Sequence, residues 1–516
     1  MRLAHWAVNA PFRPLLLAVL TSSFILPAQA ADLVTIARDA LQNDATLAAA
    51  RAQLLAAEAG TDVERGALLP QVNTDASVSN TRIYSRQLFN FGGNSIGASS
   101  FGTDNNYSST RLNLDASQAL FDATSSARLN RARRQLDQQT LSLEVTRQQL
   151  LFDVSEAYFE ILRAYDILEA RRAQEAAIGR QFEQARERFN VGLIAITEVH
   201  EAEASFDLAR AQRIAAESAM QVNFEALEQL TGRRYASIEG LAGELLIDVP
   251  KPRERGAWVA LAMDNSPQVL LADAGVEVAH SEVELSRAER LPLLEAFANY
   301  QYFESDQDQL IGNDSNSQLG LRASMPLYTG GTISAQIRQS TYSLEASQYD
   351  FEAQRRDTTQ QVRSLYTQVV NDVTTVAARR QAIVSNRSAL EATRSGYEVG
   401  TRNIVDVLNA EQSLYNAIAN YAEARYDYVV NLLSLRQQAG LLDVEAIEEV
   451  NAWLTGEDIH FILPESNEPT RISVQWILVH RPLQVLDVRC ACLLGDQSMF
   501  RKMNGNSTHE KSDSLR

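Results

Sequence analysis

The chain has 516 residues and a formal net charge of −18, and its 45% hydrophobic and 22% charged residues are typical of a folded protein. Only three of its 47 basic residues are lysines, so no lysine-rich stripe can follow a phosphate backbone and nucleic acid is not an expected partner. The length suits two or three ordinary domains or one repeated architecture.

The N-terminal segment predicts a secretory signal peptide over residues 1–30. Arg2 and Arg13 precede an apolar run over residues 15–26, and an Ala-Gln-Ala triplet ends at Ala30. This order of basic, apolar and small residues is typical of a cleaved signal. The alternative is a membrane anchor, but the run is shorter than the ~20 residues that a spanning helix needs. We therefore expect cleavage before Ala31.

The body of the chain indicates two homologous halves, residues 31–249 and 250–453. Shifting the sequence by 208 residues against itself aligns matching residues over more than a hundred positions, with a single slip of one residue upstream. Gly192, for example, falls on Gly400. A constant offset of this kind indicates a duplicated unit, so each half is expected to contain the same elements in the same order.

In each half, the long helix is preceded by two segments that alternate apolar and polar residues and therefore predict strands. The four segments are residues 72–79, 112–117, 295–302 and 319–324. Phe297 interrupts the polar face of the third segment. Between the paired segments lie stretches rich in Gly, Asn and Ser, residues 89–106 and 304–317, which are expected to form exposed hairpin tips.

Long helical hairpins are predicted after the strands. Residues 124–190 contain no proline, and their matched apolar positions repeat with a spacing of 4, 3, 4 and 3 residues, which indicates a helix packed lengthwise. At 1.5 Å per residue such a helix would be ~100 Å long. The second copy spans about 332–399, turns at Gly400 and continues to about Gly440. Each half is therefore expected to hold one long hairpin.

The four strands fit either a soluble sandwich or a barrel in a membrane. A sandwich needs a second sheet, and the sequence offers none. In a bilayer a sheet must close so that no backbone edge stays unpaired, and the smallest single-chain barrels have about eight strands. The sequence therefore predicts a mixed α and transmembrane β fold in which two or more chains share one barrel around a water-filled lumen.

From residue 32 to about residue 450 the chain resembles the TolC family of outer-membrane factors. The resemblance is carried by ALLPQV at 67–72, RFNVGLIAITEV at 188–199, MPLYTGG at 325–331 and GYEVGTRNIVDVLNAEQSLYNA at 396–417. It implies a homotrimer whose chains each contribute four strands to one 12-stranded barrel in the lipid of the outer membrane, continued into the periplasm by coiled helices. It also implies a periplasmic adaptor, an inner-membrane RND pump or ABC exporter, and an exit duct for efflux or type I secretion.

The candidate functional residues lie at the two Val-Gly turns that end the long helices. In TolC-like ducts these periplasmic tips narrow to a gate held by hydrogen bonds and ion pairs, and an acidic ring lines the constriction. The resemblance assigns the gate to Thr197, Glu198, Tyr397 and Arg402, and the acidic ring to Asp406. The turns, expected to dock the adaptor, are Val191-Gly192 and Val399-Gly400.

Three residues depart from the expected pattern. Glu198 stands where an aspartate is common in the family, and its extra methylene is expected to shift its reach to Tyr397 or Arg402. Asn409 stands where a second acidic ring can occur, which predicts a weaker cation-attracting field at the gate than two rings would give. Arg425 occupies an apolar seam position of the second hairpin. Its guanidinium is expected either to pair across helices or to reach solvent along the seam.

Two other classes of protein fit the sequence less well. A periplasmic coiled-coil adaptor would contain one hairpin flanked by compact β-domains rather than two equal halves. An enzyme would need a nucleophile with a nearby base, but no GxSxG motif is present and no histidine lies beside a candidate serine. Because the six histidines are scattered, without a pair at metal-ligand spacing, no metal or cofactor is expected.

Residues 454–516 differ abruptly in composition from the body of the chain. They hold both cysteines, Cys490 and Cys492, and two of the three lysines. We expect a divergent, disordered tail with no assigned role. The sequence indicates neither the cargo nor the particular inner-membrane pump.

Overall fold

The computed structural model describes residues 31–88, 100–235, 237–241, 247–306, 312–454 and 458–460. The predicted signal peptide, the central residues of both strand loops and the tail from residue 461 onward lie outside the described residues. Up to residue 241 the elements are α1 (Leu33–Asn43), α2 (Ala45–Gly66), β1 (Gln71–Leu88), β2 (Ser100–Asp122), α3 (Ala123–Asn190), α4 (Ile196–Thr231) and β3 (Ser237–Glu239). From residue 247 they are α5 (Arg255–Asn265), α6 (Pro267–Ala288), β4 (Leu293–Ser305), β5 (Gly312–Ser324), α7 (Thr332–Glu398), α8 (Ile404–Gln438), α9 (Val444–Asn451) and β6 (Asp458–His460).

Four strands form one antiparallel sheet in the order β1-β2-β4-β5. Leu114 pairs with Thr74 on one side and with Tyr300 on the other. Residues that lie directly opposite each other in an antiparallel pair share a face, so the register collects the apolar residues on one face and the polar residues on the other. The four predicted strand segments are confirmed, but the predicted loops 89–106 and 304–317 are too long, because β2 already begins at Ser100 and β5 at Gly312. Backbone pairing continues through these Gly-, Asn- and Ser-rich residues, which composition alone assigns to a loop. In the described chain, the outer edges of β1 and β5 have no partner strand.

Phe297 lies on the polar face, as the sequence predicts, but a charged group covers its ring. It lies opposite Gly320, where an added Cβ would come within 3.0 Å of the ring. The guanidinium of Arg322 lies 4.8 Å from the ring centroid and forms an ion pair with Glu295 at 2.9 Å. The glycine therefore makes room for the aromatic ring, and the arginine keeps this face hydrophilic.

The helix predictions are confirmed: α3 contains 68 residues and α7 contains 67. Asp122 starts α3 because its carboxylate accepts a hydrogen bond from the backbone N of Ser125 at 2.9 Å. The helices α2 and α4 pack along successive parts of α3, and α6 and α8 pack between α3 and α7. Among the described residues, none of the helices combines the length and the hydropathy that a membrane-spanning helix requires.

The largest apolar core lies partway along the long helices, where α1, α9, residues 237–241 and Ile247 pack against α3, α4 and α8. Buried aromatic side chains hold the backbone on either side of residues 242–246. The hydroxyl of Tyr158 donates to the carbonyl of Glu239 at 2.6 Å, and the hydroxyl of Tyr428 donates to the carbonyl of Asp248 at 2.8 Å. Burial raises the pKa of both phenols, so both remain protonated donors.

Candidate functional site at the hairpin tips

The two hairpin tips have the same backbone conformation. Gly192 and Gly400 both have a φ of 78°, in the left-handed region that residues with a Cβ rarely adopt. The preceding valines close the helices by donating to the carbonyls of Glu187 at 3.3 Å and Ser395 at 3.2 Å. A Cβ at either glycine would meet nothing within 4 Å. The backbone conformation, and not lack of space, therefore requires glycine here.

Both turns expose apolar side chains at the far end of the helices. Val191 is 69% exposed and Val399 is 75% exposed, and Leu193 beside the first turn is 74% exposed. Exposed apolar side chains at the end of a rod can be covered by a partner that docks end to end.

Two of the predicted gate residues meet at the second tip. The Nη1 atom of Arg402 lies 3.8 Å from the Oδ2 atom of Asp406. Asp406 also starts α8, because its backbone N donates to Oδ1 of Asn403 at 2.8 Å while the backbone N of Asn403 donates to Asp406 Oδ2 at 3.4 Å. This reciprocal pair is a capping box, so the carboxylate has a structural role in addition to its charge.

Tyr397 contacts the other hairpin through a residue that the sequence analysis did not select. The guanidinium of Arg188, in the last turn of α3, lies 5.0 Å from the centroid of the Tyr397 ring. A cation over an aromatic face is an attractive arrangement. Arg188 is the first residue of the family-like stretch 188–199, and its position there was the available signal.

Gly396 is a second residue that sequence reasoning missed. A Cβ at this position would lie 2.9 Å from the Cγ atom of Arg402, and the carbonyl of Gly396 accepts from the backbone N of Arg402 at 3.2 Å. The glycine therefore lets the stem of Arg402 fold back over the last turn of α7.

Thr197 and Glu198 lie in the first turn of α4, at the first tip. Thr197 is exposed and Glu198 is half-buried. Neither side chain forms a hydrogen bond or ion pair with another residue that the structure describes. Within one chain the structure thus places these two residues at the other tip from Tyr397 and Arg402 without linking the two pairs directly.

The tips of the two hairpins pack against each other through apolar side chains on α8. One cluster joins α8 to α3 and α4, and a second joins α8 to α7. The first consists of Ile178, Ala185, Ala202, Ala209, Ile404 and Leu408, and the second of Leu390, Val407 and Leu414. The three alanines of the first cluster allow close approach of the helices, so α8 is held on both sides.

Arg425 pairs across helices, which decides between the two alternatives for this residue. Its Nη2 atom donates to Oδ2 of Asp166 on α3 at 3.0 Å, and the hydroxyl of Tyr426 donates to the same oxygen at 2.9 Å. Burial raises the pKa of Asp166, while Arg425 and the Tyr426 hydrogen bond act in the opposite direction. The charge on the seam is therefore matched by a carboxylate of the first hairpin.

Comparisons with known proteins give a consistent result. The sequence profile of the family described as outer membrane efflux protein matches residues 36–233 and 258–441. The outer membrane protein TolC of Vibrio cholerae serotype O1 is 33% identical over 429 residues, which are 82% of this chain and 94% of that protein. The alkaline protease secretion protein AprF of Pseudomonas aeruginosa is 32% identical over 364 residues, 69% of this chain and 75% of AprF.

Solved structures share the fold at lower sequence identity. The outer membrane protein VceC of Vibrio cholerae superposes with a TM-score of 0.65 at 20% identity, and the match covers 79% of this chain and 96% of VceC. The sheet with long helical hairpins is therefore an architecture already seen in an outer-membrane protein.

Proposed function

The chain belongs to the outer membrane efflux protein family, and we propose that it forms a homotrimeric exit duct that is gated at its hairpin tips. It is an outer-membrane protein that extends into the periplasm and serves efflux or type I secretion. The resemblance predicted from the sequence is confirmed, and the periplasmic adaptor alternative is not favoured. Members of the family are channels, and no catalytic activity is indicated.

The four-stranded sheet carries the proposal of a shared barrel. It has an apolar face and a polar face, and its edge strands β1 and β5 have no further partner strand in the described part of the chain. Open edges are not stable in a bilayer, and four strands are too few for one chain to close a barrel of about eight or more strands. Three copies joined edge to edge give the 12 strands that the family resemblance implies, with the polar face toward the lumen.

The helices support the same assembly because the helices at both edges of the chain expose apolar side chains. The edge helices are α2 and α4 on one side and α7 on the other. The side chains, all more than half exposed, are Leu55, Val63, Leu208, Ile214, Val222, Tyr342, Tyr349 and Val384. A neighbouring copy that presents its opposite edge would cover both sets.

The proposed duct is built from two repeated halves after removal of the signal peptide. From α2 to α4 and from α6 to α8 the chain has the same order of helix, strand, strand, long helix and helix. The backbone N of Ala31 donates to the carbonyl of Ser237 at 3.1 Å. The first residue after the expected cleavage site is thus already part of the folded body, which supports cleavage at that point.

The gate proposal assigns complementary groups to the two tips. Arg402, Tyr397 and Asp406 supply a base, a phenol and an acid at the second tip, whereas Thr197 and Glu198 at the first tip have no side-chain partner among the described residues of their own chain. In a closed ring, the first tip of one copy would face the second tip of the next. The exposed Val-Gly turns would then dock a periplasmic adaptor, which connects the duct to an RND pump or an ABC exporter.

Single-channel recording in planar bilayers tests the gate. Arg402→Ser removes the guanidinium, and the resting conductance is expected to rise several-fold, because an exposed ion pair contributes only ~1 kcal/mol but a trimer repeats it in each copy. Arg186→Ser is a matched control, since Arg186 is also exposed near the end of a long helix but forms no hydrogen bond, ion pair or ring contact with a predicted gate residue in the described part of the chain. An unchanged conductance in Arg402→Ser would contradict the gate assignment.

A further inference from the structure

A fully buried carboxylate lies on α8 between the two hairpins, five residues after Asp406. Glu411 is 0% exposed, and its Oε1 atom accepts from Nη2 of Arg394 at 2.6 Å and from Nε2 of Gln181 at 3.3 Å. Its Oε2 atom is also buried, and none of the described protein groups donates to it. A buried charge with only one of its oxygens satisfied makes the packed arrangement costly.

The surroundings of Glu411 are apolar on both sides along α8. Leu408 lies one turn before it in the cluster with α3 and α4, and Leu414 lies one turn after it in the cluster with α7. An apolar residue at position 411 would extend either of these apolar clusters along α8. The carboxylate therefore weakens the packing of α8 against the neighbouring helices, which an apolar side chain at this position would strengthen.

The two hydrogen-bond partners of Glu411 belong to different hairpins. Arg394 is on α7, in the same hairpin as Glu411, and makes the short, charge-assisted contact. Gln181 is on α3, in the other hairpin, and makes the longer contact. If the hairpins separate, only the weaker hydrogen bond is lost, and both carboxylate oxygens become accessible to water.

We propose that Glu411 is a positioning residue that lowers the cost of separating the second hairpin from the first near the tip, and so keeps the gate able to open. The proposal rests on the proposed gate and adds a residue outside it. The ion pair with Arg394 lies within the second hairpin and is kept during this separation, whereas the hydrogen bond from Gln181 of α3 is broken. Glu411 acts through helix packing and does not touch the cargo.

Two substitutions remove the charge in different ways. In Glu411→Gln the side-chain amide keeps an oxygen for Arg394 and gains an N–H that can donate to the side-chain oxygen of Gln181. In Glu411→Leu the apolar seam becomes continuous. Arg394 can reach water in both variants, because its side chain is 42% exposed. Both variants are therefore expected to tighten the contact between α8 and α3.

The test compares opening frequencies of the purified full-length protein in planar bilayers. Glu411→Gln and Glu411→Leu are expected to open at least about threefold less often than the wild type, because the closed packing is stabilised relative to the open one.

Gln437→Leu is the matched control. Gln437 is a buried polar residue of the same helix, 4% exposed, and it donates to Gln149 of α3 at 2.8 Å near the other end of α8. This control is expected to shift the thermal midpoint without changing the opening frequency.

Each contrary outcome overturns the inference. Openings of Glu411→Gln as frequent as in the wild type would exclude the proposed role, and so would an equal decrease in Gln437→Leu, since the effect would then be one of general packing. Loss of folded protein in Glu411→Gln would show that the charge stabilises the packing, contrary to the proposal. Arg402→Ser in the same bilayers separates the two proposals, because a change there with none in Glu411→Gln refutes only the role of Glu411.

Discussion

The two hairpin tips share a backbone but differ in their side chains. Gly192 and Gly400 have the same φ of 78°. The second tip starts α8 with the capping box of Asn403 and Asp406, whereas at the first tip Ala195, the residue before α4, provides no side-chain cap. A repeated turn can thus be kept unchanged while its charged and hydrogen-bonding groups become concentrated on one copy.

Replacing the tip glycines tests whether the backbones are equivalent. Gly192→Ala and Gly400→Ala are each expected to destabilise their turn by about 1–2 kcal/mol, because the left-handed conformation is strained for a residue with a Cβ. Amide hydrogen exchange at Leu193 and Thr401 would measure both costs. Exchange rates that rise by clearly different factors would contradict equivalence. Gly60→Ala is the control, since Gly60 lies inside α2 with open space around it and alanine should stabilise the helix by about 0.5–1 kcal/mol.

Exchanging the caps tests the difference between the tips. Asn403→Ala is expected to cost about 1 kcal/mol at the start of α8, and Ala195→Asp is expected to stabilise the start of α4 by a similar amount. Both positions have extended backbone conformations that suit a capping side chain. Hydrogen exchange of the first helical turns would measure the two effects. Unchanged exchange in α4 of Ala195→Asp would mean that a cap alone does not distinguish the tips.

The smallest effect is expected for the contact that joins the two tips. A double-mutant cycle of Arg188→Ala and Tyr397→Leu, followed by thermal unfolding, should give a coupling of about 0.5–1 kcal/mol, the usual range for a partly exposed cation–π pair. Arg186→Ala, combined with the same tyrosine substitution, removes a nearby charge without the ring contact and should show no coupling. A coupling as large for Arg186 as for Arg188 would indicate a general charge effect.

Local patterns in the sequence predict the four strands of the main sheet and the two long hairpins, but not the shorter helices α1, α2, α5, α6 and α9, the short strands β3 and β6, or the contacts between the hairpins. The absence of proline over 124–190 and the seven-residue seam are sufficient to predict α3, because a helix depends on residues close in sequence. The alternation of apolar and polar residues likewise predicts both faces of the sheet. The contact of Arg188 with Tyr397 requires the register of α3 against α7, which periodicity within either helix does not determine.

Charged residues at apolar seam positions partly predict the contacts between the hairpins. Arg425 stands on such a seam, and a buried charge requires a partner, yet Asp166 could not be identified without the packing of α3 against α8. Glu411 gave the same signal and was not selected, although it lies three residues before Leu414 on that seam. In this chain, the exceptions to the apolar pattern mark where one hairpin meets the other.

The edge strands β1 and β5 determine whether a variant of this chain is expected to be genetically dominant or recessive. If three identical chains must join edge to edge, an altered chain that still pairs at its edges enters assemblies with normal chains. In a cell that makes both forms in equal amounts, only about one trimer in eight would contain normal chains alone. A gate variant with intact edges is therefore expected to be genetically dominant, whereas a variant that cannot pair at its edges is expected to be recessive.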